Sequence, residues 1–86
     1  MDIAVEISLY PLRADFAPQI KDFIARLGRE PQLRVITNSM STQVSGSYEL
    51  VMQVLTRELR ASFAALGGAS ERAVFVMKVL GPLPGA

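Results

Sequence analysis

Apolar positions along this chain recur first every second residue and then every third or fourth, and each change of period marks an element boundary. Ile3, Val5, Ile7 and Leu9 alternate with Ala4, Glu6, Ser8 and Tyr10, which predicts a strand with one apolar face, ended by Pro11. Phe16, Ile20, Phe23, Ile24 and Leu27 then fall on one helical stripe, with Gln19, Lys21, Asp22 and Arg26 outside it. Asp15 is placed to cap that helix, Pro18 fits its first turn, and Gly28 stands where a left-handed C-terminal residue belongs. Beyond Glu30-Pro31, strands are expected over residues 33–38 and 42–45, paired as a hairpin about Ser39-Met40-Ser41.

Gly46-Ser47 opens a second helix, with Ser47 as N-cap and Glu49 in the favourable first turn. Its buried stripe is Val51, Leu55, Leu59, Ser62, Phe63 and Leu66, and Gly67-Gly68 stops it. A last strand is expected over residues 72–80. The order strand, helix, strand, strand, helix, strand defines an α+β fold, the ferredoxin-like sandwich. Right-handed crossovers order its antiparallel sheet four, one, three, two, with both helices on one face. Residues 1–81 are expected to form one ligand-binding domain, and 82–86 a C-terminal tail rich in Pro and Gly that extends neither ladder nor helix.

Composition narrows the chemistry. The chain has 86 residues, 50% hydrophobic and 20% charged, enough for one core and too apolar for a disordered segment. Histidine and cysteine are absent, which removes the usual imidazole base, the commonest metal ligand and every thiol nucleophile. Asp and Glu are scattered, so no metal or other cofactor is expected. A net charge of +1, no Trp and 7% aromatic residues give no basic, aromatic-studded surface for nucleic acid. Asp2 stands where a signal peptide carries positive charge, and the apolar run from Ala73 to Met77 stops at Lys78; no membrane contact is expected, and the location expected is cytoplasmic.

The topology gathers polar residues at one end of the sheet: Ser8 and Tyr10 from the end of the first strand, Asp15 at the start of the first helix, Asn38 at the end of the second strand, and Ser41 and Thr42 opening the third. Each has a structural use as cap, turn former or strand residue; together they make a candidate ligand site. Glu6 points to the sheet face away from the helices. It either pairs with Lys78 or Arg34 or meets a ligand. The last strand is apolar on both faces except at Lys78. Val74, Val76 and Leu80 therefore predict that the open face is covered, by another copy of the chain in a homodimer or homotetramer.

Two stretches carry a family likeness. Ile7-Ser8-Leu9-Tyr10-Pro11-Leu12 followed by Asp15-Phe16, and Met40-Ser41-Thr42 with Val44, Gly46 and Ser47 before a helix, resemble the YkoF-like group of thiamine- and hydroxymethylpyrimidine-binding proteins. The likeness spans nearly the whole chain, although Gly81-Pro82 lacks the cysteine that family members often carry near this point. It implies a ferredoxin-like domain that holds thiamine or its pyrimidine moiety unchanged, in salvage or transport. Members with two such domains in one chain imply that copies of this one supply the pairing.

An aminopyrimidine needs acceptors, hydroxyl donors and a flat apolar surface, which Glu6, Ser8, Asn38, Ser41 and Thr42, with the Tyr10 ring, have the chemistry to supply. Two other functions fit the same pattern: an oligomerisation domain without ligand, and an acylphosphatase-like hydrolase built on Arg13 and Asn38. The second lacks the glycine-rich phosphate loop, having Pro11-Leu12-Arg13-Ala14 instead.

Overall fold

The computed structural model describes residues 1–68 and 70–84; the last two residues of the expected tail, 85–86, lie outside them. The elements run β1 (Asp2–Pro11), α1 (Ala17–Leu27), β2 (Arg34–Thr37), β3 (Thr42–Ser47), α2 (Tyr48–Ala64) and β4 (Ala73–Leu80). The sheet order is β2-β3-β1-β4, antiparallel throughout. This is the α+β ferredoxin-like arrangement expected from the periodicity.

The alternation in β1 does what its period requires: Ile3, Val5, Ile7 and Leu9 are buried, and Glu6 and Tyr10 are exposed. With Val44 of β3 they pack against Phe23 and Leu27 of α1 and Val51, Val54 and Leu55 of α2. Each such side chain contributes about 1.5–3 kcal/mol of transfer free energy. Ser47 caps α2 as expected, its Oγ accepting from the Leu50 amide at 3.3 Å. Gly46 lets β3 pass close under Leu33: a Cβ there would lie 2.8 Å from Leu33 Cδ2.

Several boundary expectations fail for local reasons. Asp15 does not cap α1; Phe16 occupies the N-cap position with no side-chain hydrogen bond to the helix. The chain leaves β1 through an exposed bend over 12–15, which leaves Asp15 one residue short of the position from which a cap reaches the first amides. Gly28 is right-handed, at φ −68° and ψ −9°, because the chain continues into tight turns in which Arg29 N donates to Arg26 O and Glu30 N to Leu27 O. Helix α2 ends at Ala64, short of the glycines, with the Ala65 amide donating to Ala61 O and the Leu66 amide to Phe63 O.

The stripe on α2 holds in part: Val51, Leu55 and Ser62 are buried as expected, and Val54 and Glu58 join them. Phe63 instead is half exposed, packing edge-on against Phe75 with ring centroids 5.4 Å apart. Phe75 meets Phe23 as well, at 5.1 Å, so one aromatic side chain of β4 touches both helices. Only this first half of β4 joins the core, through Ala73 and Phe75. On the open face, Val74 lies opposite Tyr10, Val76 opposite Ser8, Lys78 opposite Glu6 and Leu80 opposite Ala4. Val74, Val76 and Leu80 are 44%, 49% and 66% exposed, leaving an apolar strip along the sheet edge. In the tail, the Leu83 amide donates to Asp2 O at 2.8 Å.

Candidate ligand-binding site

A cavity of about 480 Å³ opens between the first half of α1 and the end of the sheet. Its floor is residues 7–11 of β1, extended by Leu12. One wall is the α1 stripe of Phe16, Ile20, Phe23 and Ile24, and the other is the β2–β3 hairpin from Thr37 to Thr42. The space follows from the sequence at this end of the sandwich. The bend over 12–15 carries the chain outward before α1 begins, and β3 opens with the polar Thr42, preceded by Ser41, where its middle has Val44. The volume is within the roughly 300–1,000 Å³ of sites that enclose small molecules.

The hairpin supplies most of the polar groups, and many are already engaged. Asn38 Oδ1 accepts from the amides of Met40 and Ser41 at 2.7 and 3.0 Å, and the Asn38 amide donates to Ser41 O at 3.0 Å. This side-chain turn fixes the shape of the loop. The hydroxyls of Thr37 and Thr42 share a hydrogen bond at 3.0 Å. Ser41 differs: its Oγ is shielded from solvent and has no partner among the described residues, although the residue borders the cavity. Such an unsatisfied hydroxyl costs about 1–3 kcal/mol, and its position depends on one side-chain torsion. Among the described residues, none that borders the cavity is Asp, Glu, Lys or Arg, so its lining carries no formal charge.

Of the expected site residues, Ser8, Tyr10, Asn38, Ser41 and Thr42 border one cavity, although Ser8 and Tyr10 do so by their place in the strand alone: they alternate with the buried Ile7 and Leu9, and their side chains share the open face with Val76 and Val74. Glu6 and Asp15 do not. Glu6 lies on the open face of the sheet, with its Oε1 3.9 Å from Lys78 Nζ and both side chains well exposed, a pair worth little in water. Asp15 is exposed in the bend before α1. The hydrolase pair is engaged elsewhere, Arg13 with Glu71 at 3.2 Å and Asn38 in its own turn. Sequence reasoning missed the walls: Phe16, Ile20, Phe23 and Ile24 were expected as core alone, and their stripe serves both core and cavity.

A second polar cluster escaped the sequence reading altogether. Arg26, expected on the outer face of α1, reaches α2. Its guanidinium bonds Asp22 at 2.9 Å, the Glu58 carbonyl at 3.1 Å, the Glu58 carboxylate and Ser62 Oγ at 2.7 Å. Arg57 joins Glu58 and Glu30, each at 2.8 Å. Burial pushes the Glu58 carboxyl upward, and the hydrogen bonds and charges of Arg57 and Arg26 outweigh it, leaving its pKa below the ordinary carboxylate value. This cluster links the helices and does not border the large cavity. Among the described residues, no group of acidic, His or Cys side chains has the arrangement to hold a metal ion, and no helix is long and apolar enough to cross a membrane.

A four-stranded ferredoxin-like sandwich with a neutral, largely apolar cavity at one end of its sheet is what fold and site together define. No family model and no curated protein matches the chain. Solved structures do. A Thermotoga maritima protein provisionally assigned to thiamine biosynthesis or salvage superposes with a TM-score of 0.78 at 17% identity, over 92% of this chain and 82% of its own. A hypothetical protein of Methanocaldococcus jannascii gives 0.78 at 20% identity, over 99% and 84%. A Streptococcus pneumoniae protein gives 0.82 at 15%, over 98% and 90%. Likeness at these identities is likeness of fold, and the fold agrees with that expected from the thiamine-binding resemblance.

Proposed function

We propose that this protein holds thiamine or its hydroxymethylpyrimidine moiety in the cavity beside α1 and leaves it chemically unchanged, as a binding component of salvage or transport. The carrying observation is the cavity itself: apolar side chains of α1 for a ring to lie against, hairpin polar groups at the other wall, and an unpartnered Ser41 hydroxyl between them. The fold-level likeness to the Thermotoga maritima protein supports the same reading. Among the described residues, those bordering the cavity include no Asp, Glu, Lys, His or Cys, which favours holding a ligand over transforming it.

The second copy belongs to this proposal. Val74, Val76 and Leu80 line the open face and favour sheet-on-sheet packing of two chains, or of two such pairs. The same strip favours the alternative of an oligomerisation domain without ligand. Titration calorimetry with thiamine and with hydroxymethylpyrimidine separates the two: saturable heat with either supports the binding function, and no heat and no thermal shift at millimolar ligand overturns it.

A further inference from the structure

We infer that the cavity selects the uncharged, unphosphorylated ring and turns away its phosphate esters; the inference rests on the cavity being a pyrimidine or thiamine site. A phosphate ester brings up to two negative charges, and moving them out of water without a cation or a set of donors costs far more than any ring contact returns. Three features that accept phosphate elsewhere are absent or weakened here.

Basic side chains are the first. Among the described residues none borders the cavity, and Arg13, the nearest in sequence to its floor, pairs with Glu71 at 3.2 Å. Turn amides are the second. In the hairpin, the amides of Met40 and Ser41 already donate to Asn38 Oδ1 at 2.7 and 3.0 Å, which takes two of the donors an anion would need there. The start of α1 is the third. Its amides follow the Asp15 carboxylate by two residues, and Pro18 removes one of them, which weakens the positive end of the helix where an anion would bind.

An uncharged aminopyrimidine makes none of these demands. Its ring is satisfied by apolar walls, and its polar edge by one or two hydrogen bonds, of which Ser41 Oγ makes one by turning about χ1 from its shielded position toward the cavity. For thiamine the same logic keeps the cationic thiazolium at the mouth, because no carboxylate borders the interior.

The test is calorimetry of the full chain with hydroxymethylpyrimidine, its monophosphate and thiamine, repeated on Ser39→Lys, which adds a cation in the exposed turn at the rim. The expected result is an ester at least about tenfold weaker than the alcohol on the natural protein, with the gap narrowing on the variant. An ester that binds as tightly as the alcohol overturns the inference while leaving the binding function intact. A gap unchanged on a folded Ser39→Lys overturns the charge explanation. If that variant does not fold, the comparison on the natural protein decides alone. Absence of binding by all three probes overturns the cavity's function and this inference with it.

Discussion

Arg26→Met tests whether the buried ion cluster is a structural requirement or a surface ornament. In the native chain the Arg26 side chain is 14% exposed and that of Glu58 is 10% exposed. Removing the guanidinium strips Glu58 of its interior cation and leaves Ser62 Oγ and the Glu58 carbonyl without their donor. Breaking a buried pair by deleting one partner costs about 3–5 kcal/mol. Arg57 stays on Glu58 from the solvent side, so the lower end, about 3 kcal/mol, is expected. For a domain of this size that lowers the melting temperature by roughly 12–24 °C.

Acidification gives an independent check on the same cluster. The folded Glu58 pKa lies below its ordinary value of 4.5, so its contribution is fully present above that value and is lost as pH falls through the folded one. Thermal melts at pH 7 and pH 3 should therefore show the deficit of Arg26→Met shrinking in acid, where a neutral carboxyl no longer needs the cation. Arg26→Met combined with Glu58→Leu should recover much of the loss, since apolar pairs replace buried ions at little cost. A deficit under about 1 kcal/mol at pH 7, the range of exposed pairs, would refute the reasoning.

Three further outcomes are expected. Ser41→Ala removes a buried hydroxyl without partner, so the ligand-free protein should melt no lower than the natural one, while pyrimidine affinity falls about five- to tenfold by calorimetry; equal affinity would exclude Ser41 from the site. Gly46→Ala pushes a methyl to within 2.8 Å of Leu33 Cδ2 and should cost about 1–3 kcal/mol in urea denaturation, an overpacking penalty. Val76→Asp puts a charge at the centre of the open-face strip and should yield a monomer by light scattering; an unchanged assembly mass would show that copies do not meet through this face.

The fold was legible because its two periods are clean where burial is one-sided. In β1 the helices cover one face only, so buried positions alternate with more exposed ones through all ten residues. Where burial is two-sided or the chain is short, the pattern misleads. Phe63 was assigned to the core stripe of α2, yet it reaches sideways to Phe75, and Glu58 takes an interior position instead. A glutamate on a helix reads as a solvent residue. What reverses that is Arg26, thirty-two residues away, a distance at which single-sequence periodicity carries no information.

The candidate site divides along the same line. Its polar members were legible because sheet topology alone brings the ends of β1 and of the β2–β3 hairpin together, whatever the side chains do. Its shape was not legible, since the cavity is a gap: it exists because the bend over 12–15 starts α1 late and because Phe16 takes the cap position Asp15 was expected to hold. The displaced cap and the open space are one event. Had Asp15 capped α1, the helix would begin with a carboxylate bonded to its first amides; instead Phe16 stands at the cavity wall and Asp15 stays outside in solvent. The failed expectation thus accounts for an apolar cavity without charge, which is the property on which its selectivity depends.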